Sequence, residues 1–327
     1  MPADNPMHKP RPEILAMPRM SPLLAPQLAA AFTVHDRLHE TDPAAWAAAA
    51  PRIRAIAASG ESKVPAALIA QLPALEIISV MGVGYDGIDV AAAKARGVVV
   101  THTPDVLNDD VADLALALML CAARQLPAAD RFVRAGQWLQ GPMPLARKLS
   151  GARLGLVGMG RIGQAIARRA LAFGMDIAYT ARSAKPALPF QHLPSAEALA
   201  ERSDFLVVIT PGGAATRHLI DAQVLAALGR SGPGGGILVN VARGTVVDEA
   251  ALIDALERGV IAGAGLDVFE AEPNVPERLR ALPQVVLTPH VGSATRNTRQ
   301  AMADLAFDNL QRQLAGQPVR TPVPECH

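Results

Sequence analysis

The sequence predicts an α/β protein built from two doubly wound parallel sheets. Three observations support this fold class. Short apolar segments alternate with alanine-rich helical segments, a glycine motif of the phosphate-binding type follows one apolar segment, and 327 residues exceed what one hydrophobic core usually holds. Half of the residues are hydrophobic, which is enough for two packed cores. We therefore expect two domains, each Rossmann-like or flavodoxin-like.

The first predicted domain covers residues 1 to 103 together with 296 to 327. Its helices include Pro65 to Gln71, with proline in the first turn, and Val90 to Arg96, which is followed by a glycine that can cap it. The last helical segment, Thr295 to Leu314, is expected to fold back on this domain. The predicted strands are Ile14 to Met17, Thr33 to His35, Ile53 to Ala57, Ile77 to Met81 and Val98 to Thr101.

A glycine-containing loop follows the fourth of these strands. It reads Met81-Gly82-Val83-Gly84-Tyr85-Asp86. Loops at the carboxyl ends of strands are where open α/β sheets bind ligands, and glycines leave backbone N–H groups accessible to a carboxylate. The alternative is a turn that only reverses the chain.

Asn108 to Arg124 is the most apolar of the predicted helices. Acidic residues lie in its first turn and Arg124 ends it, as the helix dipole favours. Because apolar residues occur nearly all the way round, we expect a neighbouring domain or subunit to bury this helix. We therefore place the crossing between domains here and predict a homodimer.

The second predicted domain covers residues 104 to 295 and contains six strands. Helical segments separate them, and the clearest is Asp248 to Arg258, which starts with acids and is stopped by Gly259. Six strands with intervening helices indicate a dinucleotide-binding sheet, with its crevice at the carboxyl ends of the strands. The strands are Leu154 to Val157, Ile177 to Thr180, Phe205 to Ile209, Ile237 to Val241, Gly265 to Val268 and Val285 to Leu287.

Three glycines at GxGxxG spacing follow the first strand of this domain and precede a helix. Gly158 permits a tight turn, Gly160 lets the backbone approach a pyrophosphate, and Gly163 lets helix and strand pack closely. The helix opens at Arg161, so its N–H groups and positive dipole end face the anion. The motif alone is weak, but its position between strand and helix favours a dinucleotide site over an ordinary glycine turn.

Residues at the end of the second strand indicate NADP(H) rather than NAD(H). An acid usually stands there to bind the ribose hydroxyls, but Thr180 occupies that place and Asp176 lies at the other end of the strand. Arg182, Ser183 and Lys185 follow instead. An arginine pairs with a phosphate through two hydrogen bonds, so this segment suits a 2′-phosphate. The alternative is that these cations are only solvated surface charges.

Three segments at strand ends carry groups suited to hydride chemistry. Arg243 directly follows a strand and can hold a carboxylate and polarise an adjacent keto oxygen. The segment Asp267 to Pro273 contributes carboxylates, and His290 leaves the last strand before small residues. An imidazole can protonate the alkoxide that hydride transfer leaves, and Glu272 paired with it would raise its pKa. Taken singly, each of these residues would more often have a structural role. Their shared position at the carboxyl ends of strands in one sheet favours a catalytic role.

These motifs resemble the D-isomer-specific 2-hydroxyacid dehydrogenases, from the VGYD loop at Val83 to the HVGSAT segment at His290. The resemblance implies that the active site lies in the interdomain cleft. It also implies that Arg243 binds the substrate carboxylate and carbonyl, that Glu272 orients His290, and that His290 is the acid/base. Asp267 would contact the nicotinamide carboxamide. Val83 and Gly84 would offer backbone N–H groups to the substrate.

Within the family the chain looks most like the glyoxylate/hydroxypyruvate and hydroxyphenylpyruvate reductases. The YTARSAKP segment beginning at Tyr179 suits NADPH, and Trp138 is expected to reach the substrate pocket of the partner subunit. One departure is Thr210-Pro211-Gly212-Gly213, where the family usually has leucine and threonine. The remaining residues expected to bind the cofactor are Met159, Ile162, Pro211, Val241, Ala242 and Gly292.

The composition excludes several other functions. The net charge is +1 and only 3% of residues are aromatic, so neither nucleic acid nor a membrane surface is the expected partner. Two cysteines, Cys121 and Cys326, indicate a reducing compartment, so we expect a cytoplasmic protein with no metal site.

The leading hypothesis is an NADPH-preferring reductase of small 2-ketoacids, such as glyoxylate, hydroxypyruvate and phenylpyruvates, that forms D-2-hydroxy acids. One alternative is an NAD-dependent D-2-hydroxyacid dehydrogenase of the phosphoglycerate type. The other is a non-catalytic scaffold that senses NAD(P), since a fold alone does not specify a function.

Overall fold

A computed structural model describes residues 11–232 and 234–326 of the chain. The chain divides into two compact units. The first consists of Met1–Val106 and Thr295–His327, and the second of Leu107–Ala294. Each unit contains one parallel sheet and one buried apolar core.

The first unit is organised around a five-stranded sheet in which every strand pair is parallel. The strands follow the spatial order β2-β1-β3-β4-β5, the flavodoxin-like order of doubly wound sheets. All five predicted strands are present. They are β1 (Glu13–Ala16), β2 (Thr33–Asp36), β3 (Ile53–Ser59), β4 (Ile77–Met81) and β5 (Val99–Thr101).

Short helices connect these strands and cover the sheet. Several have clear start signals: α5 begins after Asp89, whose carboxylate accepts the Ala92 N–H at 2.9 Å, and α4 begins after Pro65. Ile56, Ile69 and Ile78 are fully buried in the core of this unit. The helices are α1 (Ala25–Ala31), α2 (Leu38–Thr41), α3 (Pro43–Ala49), α4 (Ala66–Ala70) and α5 (Val90–Ala95).

The second unit contains a seven-stranded parallel sheet in the order β12-β11-β10-β9-β6-β7-β8. The chain adds strands first on one side of β6 and then on the other, so the strand order reverses between β6 and β9. The carboxyl ends of strands at such a reversal form a ligand-binding crevice. The strands are β6 (Arg153–Val157), β7 (Asp176–Thr180), β8 (Gln191–His192), β9 (Phe205–Val208), β10 (Ile237–Asn240), β11 (Gly263–Leu266) and β12 (Val285–Leu287).

The two parallel sheets with their helices confirm the predicted fold class. Two details of the second sheet differ from the prediction. The sequence predicts six strands and misses β8, because two polar residues show no strand period. It also places the fifth strand two residues late, since β11 ends at Leu266 and Asp267 already serves the loop that follows.

Helix α6 (Asn108–Arg124) is buried for a different reason than the sequence suggests. It packs on α8 and on strands β10 and β11 of its own unit, so its apolar content requires neither a second domain nor a subunit. Contacts within the second unit therefore account for the burial of this helix, where the sequence suggests a neighbouring domain or subunit, and the homodimer stays a prediction. The helices of this unit are α6 (Asn108–Arg124), α7 (Leu126–Arg134), α8 (Arg161–Leu171), α9 (Ala196–Glu201), α10 (Ala222–Gly229), α11 (Glu249–Glu257) and α12 (Glu277–Ala281).

The last helix, α13 (Arg296–Leu314), packs on β4 and β3 of the first sheet. The hydroxyl of Ser79 on β4 donates to the Ala306 carbonyl at 3.0 Å. The fully buried Asn309 fixes the chain beyond the helix, because its side-chain oxygen accepts the Arg320 N–H and its nitrogen donates to Thr321. The C-terminal segment is thereby part of the first unit.

Among residues 11–232 and 234–326, no single helix is both long and apolar enough to cross a membrane. Only α6 and α7 taken together, across a bend of 57°, have the length and composition of a span.

Candidate active site

The glycine loop after β6 has the close contacts that its motif predicts. Gly158 has a φ of 113°, and a Cβ at this position would lie 2.5 Å from the Ile209 carbonyl oxygen. A Cβ on Gly163 would lie 2.4 Å from the Gly158 carbonyl oxygen, so helix α8 approaches the loop closely. In contrast, a Cβ on Gly160 would meet nothing within 4 Å. The first and third glycines are therefore required for packing, and the second faces open space.

This arrangement fits a dinucleotide phosphate. Gly160 is the N-cap of α8 and offers no capping side chain, so the positive end of the helix dipole adjoins that open space. The hydroxyl of Thr210, at the end of β9, is buried and has no hydrogen-bond partner in the described part of the chain. A buried polar atom without a partner is what a bound ligand would satisfy. The neighbouring Pro211 carbonyl accepts the Thr216 hydroxyl at 2.8 Å.

The residues expected at the adenosine end lie just after β7. The Gly158 N–H donates to the Thr180 carbonyl at 2.9 Å, so the end of β7 adjoins the glycine loop. Arg182 and Ser183 are exposed, and within the described residues no carboxylate pairs with Arg182. Asp176, the acid at the opposite end of the strand, pairs with Arg202 at 2.6 Å. The carboxyl end of β7 is therefore followed by the Arg182 guanidinium and a serine hydroxyl. The carboxylate of Asp176 lies at the amino end of the strand.

Arg243 extends from a turn that two neighbours shape. The buried Asn240 accepts the Ala242 N–H with its oxygen and donates to the Arg243 carbonyl with its nitrogen, each at 3.0 Å. The next residue, Gly244, lies so close to the following loop that a Cβ would be 1.9 Å from the Phe269 carbonyl carbon. These contacts bring the Arg243 turn against the loop that carries Glu272.

Glu272 and His290 form a hydrogen-bonded pair. The Glu272 Oε2 to His290 Nδ1 distance is 2.8 Å, and the other carboxylate oxygen accepts the Phe269 N–H at 2.8 Å. The second contact fixes the carboxylate on the backbone of its own loop, so the imidazole is oriented by a group that is itself held. The His290 side chain is 31% exposed and the Glu272 side chain 22%, so neither is fully buried.

The pair shifts the pKa values of both groups in opposite directions. The Glu272 hydrogen bond raises the pKa of His290 above its ordinary value, against the opposing effects of burial and of Arg243. Burial raises the pKa of Glu272, but the hydrogen bonds from His290 and from the Phe269 N–H outweigh it and leave that pKa below its ordinary value. A charged carboxylate therefore holds an imidazole that keeps its proton to a higher pH.

Asp267 organises the loop that carries His290. Its side chain is 2% exposed, and its two oxygens accept the Thr288 hydroxyl at 2.6 Å and the Val291 and Gly292 N–H groups at 2.8 Å. Burial raises its pKa, and these hydrogen bonds oppose the rise. Its carbonyl also accepts the His290 N–H at 2.8 Å. His290 has a φ of 53°, a conformation that costs energy for a residue with a Cβ, and these bonds hold it there.

The other predicted site residues lie as follows. In the first unit, the loop after β4 is fixed by His102, whose Nδ1 lies 3.0 Å from the Val83 carbonyl, and Gly84 follows in the same loop. In the second unit, Met159, Val241 and Ala242 are buried. Arg161 and Ile162 form the first turn of α8. Trp138 is 69% exposed, in the 3-10 helix Gln137–Gln140.

The order of strands arranges the predicted site residues of the second unit in a row. Along one edge of the sheet come the segment after β7, the glycine loop after β6, Pro211 after β9, Arg243 after β10, Asp267 and Glu272 after β11, and His290 after β12. Neighbouring strands lie about 4.8 Å apart. The groups expected to bind phosphate are therefore separated by sheet order from Arg243, Glu272 and His290.

Sequence reasoning missed Asn240, Gly244 and Thr288. Asn240 carries a recognisable signal, since a polar residue ends an otherwise apolar strand. Gly244 and Thr288 carry none, because their roles come from contacts with residues about 20 positions away.

Comparison with known proteins identifies the family of this chain. Residues 116–292 match the family model for the NAD binding domain of the D-isomer specific 2-hydroxyacid dehydrogenases. The chain is 49% identical over 271 residues to glyoxylate/hydroxypyruvate reductase A of Arabidopsis thaliana, covering 83% of this chain and 85% of that protein. It is 47% identical over 274 residues to hydroxyphenylpyruvate reductase of Plectranthus scutellarioides, covering 84% and 86%.

A solved structure is similar over nearly the full length. It is the NADPH-dependent glyoxylate/hydroxypyruvate reductase of Sinorhizobium meliloti in complex with NADP and malonate, with a TM-score of 0.89, 47% identity, and coverage of 97% of this chain and 98% of that one. The chain therefore belongs to the D-isomer-specific 2-hydroxyacid dehydrogenase family, in its glyoxylate/hydroxypyruvate reductase-like branch, and is an oxidoreductase with a nicotinamide cofactor.

Proposed function

We propose that this chain is an NADPH-preferring reductase that converts small 2-ketoacids, with glyoxylate and hydroxypyruvate first and phenylpyruvates next, to D-2-hydroxy acids. The observation that carries the proposal is the Glu272–His290 pair at 2.8 Å on the same sheet edge as Arg243 and the glycine loop. The substrate names of the relatives described above support the choice of ketoacids.

Arg243 is the proposed substrate-binding cation. A guanidinium holds a carboxylate through two parallel hydrogen bonds, and it polarises the adjacent keto oxygen as negative charge develops there. The hydrogen bonds of Asn240 fix the backbone of Arg243 and its neighbour Ala242. Val83 and Gly84 are proposed to donate backbone N–H groups to the substrate.

His290 is the proposed general acid. When bound, the reduced nicotinamide supplies a hydride to the keto carbon. With Nδ1 engaged by Glu272, Nε2 is the ring nitrogen that passes a proton to the oxygen. The raised pKa of His290 lets the ring keep that proton to a higher pH than an ordinary histidine does, because the Glu272 carboxylate stabilises the charged form.

The proposed cofactor site follows the row of loops. The first turn of α8 and the open face at Gly160 would hold the pyrophosphate, and Thr180, Arg182 and Ser183 would hold the phosphorylated ribose. Asp267 is proposed for the nicotinamide end. The exposed guanidinium of Arg182 supports a 2′-phosphate, which a carboxylate at the end of β7 would repel.

The two alternatives are less well supported. A phosphoglycerate-type dehydrogenase would require further cations for the substrate phosphate, and sequence reasoning identifies none beyond Arg243. A non-catalytic scaffold would not need the Glu272–His290 geometry, and the family assignment makes the chain an oxidoreductase.

The first prediction concerns substrate and cofactor. Purified protein should oxidise NADPH in the presence of glyoxylate and hydroxypyruvate, with phenylpyruvates and longer 2-ketoacids as the comparison set. We expect a higher kcat/KM with NADPH than with NADH, because only NADPH carries the 2′-phosphate that Arg182 and Ser183 are proposed to bind. A spectrophotometric screen with both cofactors measures this. Faster turnover with NADH would refute the cofactor assignment, and inactivity across the panel would refute the substrate class.

The second prediction concerns the two charged groups of the site. His290→Ala should lower kcat by about 100-fold to 10,000-fold, the usual contribution of a general acid. Arg243→Ala should lower kcat/KM by at least about 100-fold, since a group that stabilises developing charge is lost. The exposed Arg280 provides a control, and Arg280→Ala should leave both constants unchanged. NADPH affinity, measured by fluorescence titration, should change little. Near-normal kinetics in either site variant would refute its assignment.

The third prediction concerns a homodimer. One continuous segment of the second unit exposes five large apolar side chains, as segments that contact a protein partner do. They are Leu126, Val133, Trp138, Leu139 and Leu145. We assign this segment to contact with a second copy, in which Trp138 reaches the substrate pocket of the partner subunit.

Sedimentation velocity should therefore show a dimer. Trp138→Ala should raise the KM for the ketoacid, with a smaller effect on the KM for NADPH, because the proposed contact is with substrate. A monomer at assay concentration, or unchanged kinetics in the variant, would contradict this assignment.

A further inference from the structure

The segment Ala181–Lys185, which we name the adenosine loop, connects β7 with the turn before β8. We propose that Tyr179 and His192 are positioning residues that hold the adenosine loop in the conformation that presents Arg182 and Ser183 to a 2′-phosphate. They thereby determine cofactor selectivity without touching the cofactor. This inference rests on the proposed preference for NADPH.

Tyr179 provides the first contact. It is the fourth residue of β7 and is 1% exposed, so its ring belongs to the core of the second unit. Its hydroxyl accepts the Lys185 N–H at 2.6 Å. A buried phenol normally requires a hydrogen-bond partner, and here the partner is the backbone at the far end of the adenosine loop. The core is thereby linked directly to the loop.

His192 provides the second contact. It lies on the two-residue strand β8, next to Tyr179 in the strand register. Its ring packs against the Tyr179 ring with centroids 5.2 Å apart. Its Nε2–H donates a hydrogen bond to the Ala181 carbonyl at 3.3 Å. The Leu193 N–H also donates to the Tyr179 carbonyl at 2.8 Å. The short strand β8 therefore places an imidazole at the near end of the loop.

The loop is thus fixed at both ends and exposed in the middle. Thr180 receives the Gly158 N–H, Ala181 is held by His192, and Lys185 is held by Tyr179. Arg182 and Ser183 lie between these anchors and are exposed. A loop that is already ordered does not lose backbone entropy when the ligand binds, so the contacts of its middle residues contribute fully to affinity.

Selectivity follows from which cofactor uses the middle of the loop. NADPH carries the 2′-phosphate that Arg182 and Ser183 would bind, and NADH does not. Removing the hydrogen bonds of Tyr179 and His192 should therefore weaken the binding of NADPH and leave the binding of NADH nearly unchanged. A purely structural role for Tyr179 and His192 would instead lower activity with both cofactors alike.

The experiment compares kcat/KM for NADPH and NADH in wild type, Tyr179→Phe and His192→Phe. Tyr179→Phe keeps the phenyl ring and removes only the hydroxyl, and His192→Phe replaces the imidazole with another aromatic ring that cannot hydrogen-bond. We expect each to lower kcat/KM for NADPH by about 5-fold to 10-fold, the effect of one lost hydrogen bond, and to change the value for NADH less than about 2-fold. Inhibition by 2′,5′-ADP should weaken in parallel, while inhibition by 5′-AMP should not. His35→Phe is the control, since it removes an imidazole that contacts Glu13 in the first unit, and it should leave the cofactor ratio unchanged.

The outcomes separate this inference from the proposed function. If wild type prefers NADH, the proposed cofactor preference fails and this inference fails with it. If wild type prefers NADPH and both variants keep the wild-type ratio, only this inference is overturned. An equal loss with both cofactors would assign Tyr179 and His192 to stability alone and would also overturn it.

Discussion

The hydrogen bond between Glu272 and His290 is the interaction on which the proposed site depends. Further hydrogen bonds in the second unit fix each of the two residues in place. Glu272 is fixed by the Phe269 N–H. His290 stands in a left-handed conformation that is maintained because Asp267, buried beneath it, accepts hydrogen bonds from Thr288 and from the loop backbone. An ordered carboxylate is what raises the pKa of the imidazole, so the acid strength of the site is a consequence of loop structure.

The parallel sheet explains why these loops meet. Every strand points the same way, so the loops at all carboxyl ends lie at one edge of the sheet, and the order β7-β6-β9-β10-β11-β12 sets the order of the proposed functions along that edge. Glycines allow the loops to approach one another where side chains would collide. Gly244 has the closest approach of these glycines, because a Cβ there would overlap the Phe269 peptide. A side chain at this position would therefore separate the Arg243 turn from the loop that carries Glu272.

Much of this organisation could be predicted from local patterns. Apolar strands, glycine spacing and charged residues at strand ends predicted the fold class and placed Arg243, Glu272 and His290 on one edge of one sheet. What failed depends on partners that are distant in sequence. Helix α6 is apolar because α8 and the sheet cover it, which periodicity does not reveal. Strand β8 is too short to show a period, and the hydroxyl of Tyr179 gains its role only through Lys185.

The proposed role of Glu272 is to keep His290 protonated to a higher pH so that it can act as an acid. The most direct measurement is an ¹⁵N NMR titration of the His290 imidazole in wild type and in Glu272→Gln. We expect a wild-type pKa above the ordinary histidine value of about 6.5 and a lower pKa in the variant, because the amide cannot stabilise the imidazolium as a carboxylate does. A His290 pKa at or below the ordinary value in wild type, or one that does not change in Glu272→Gln, would contradict it.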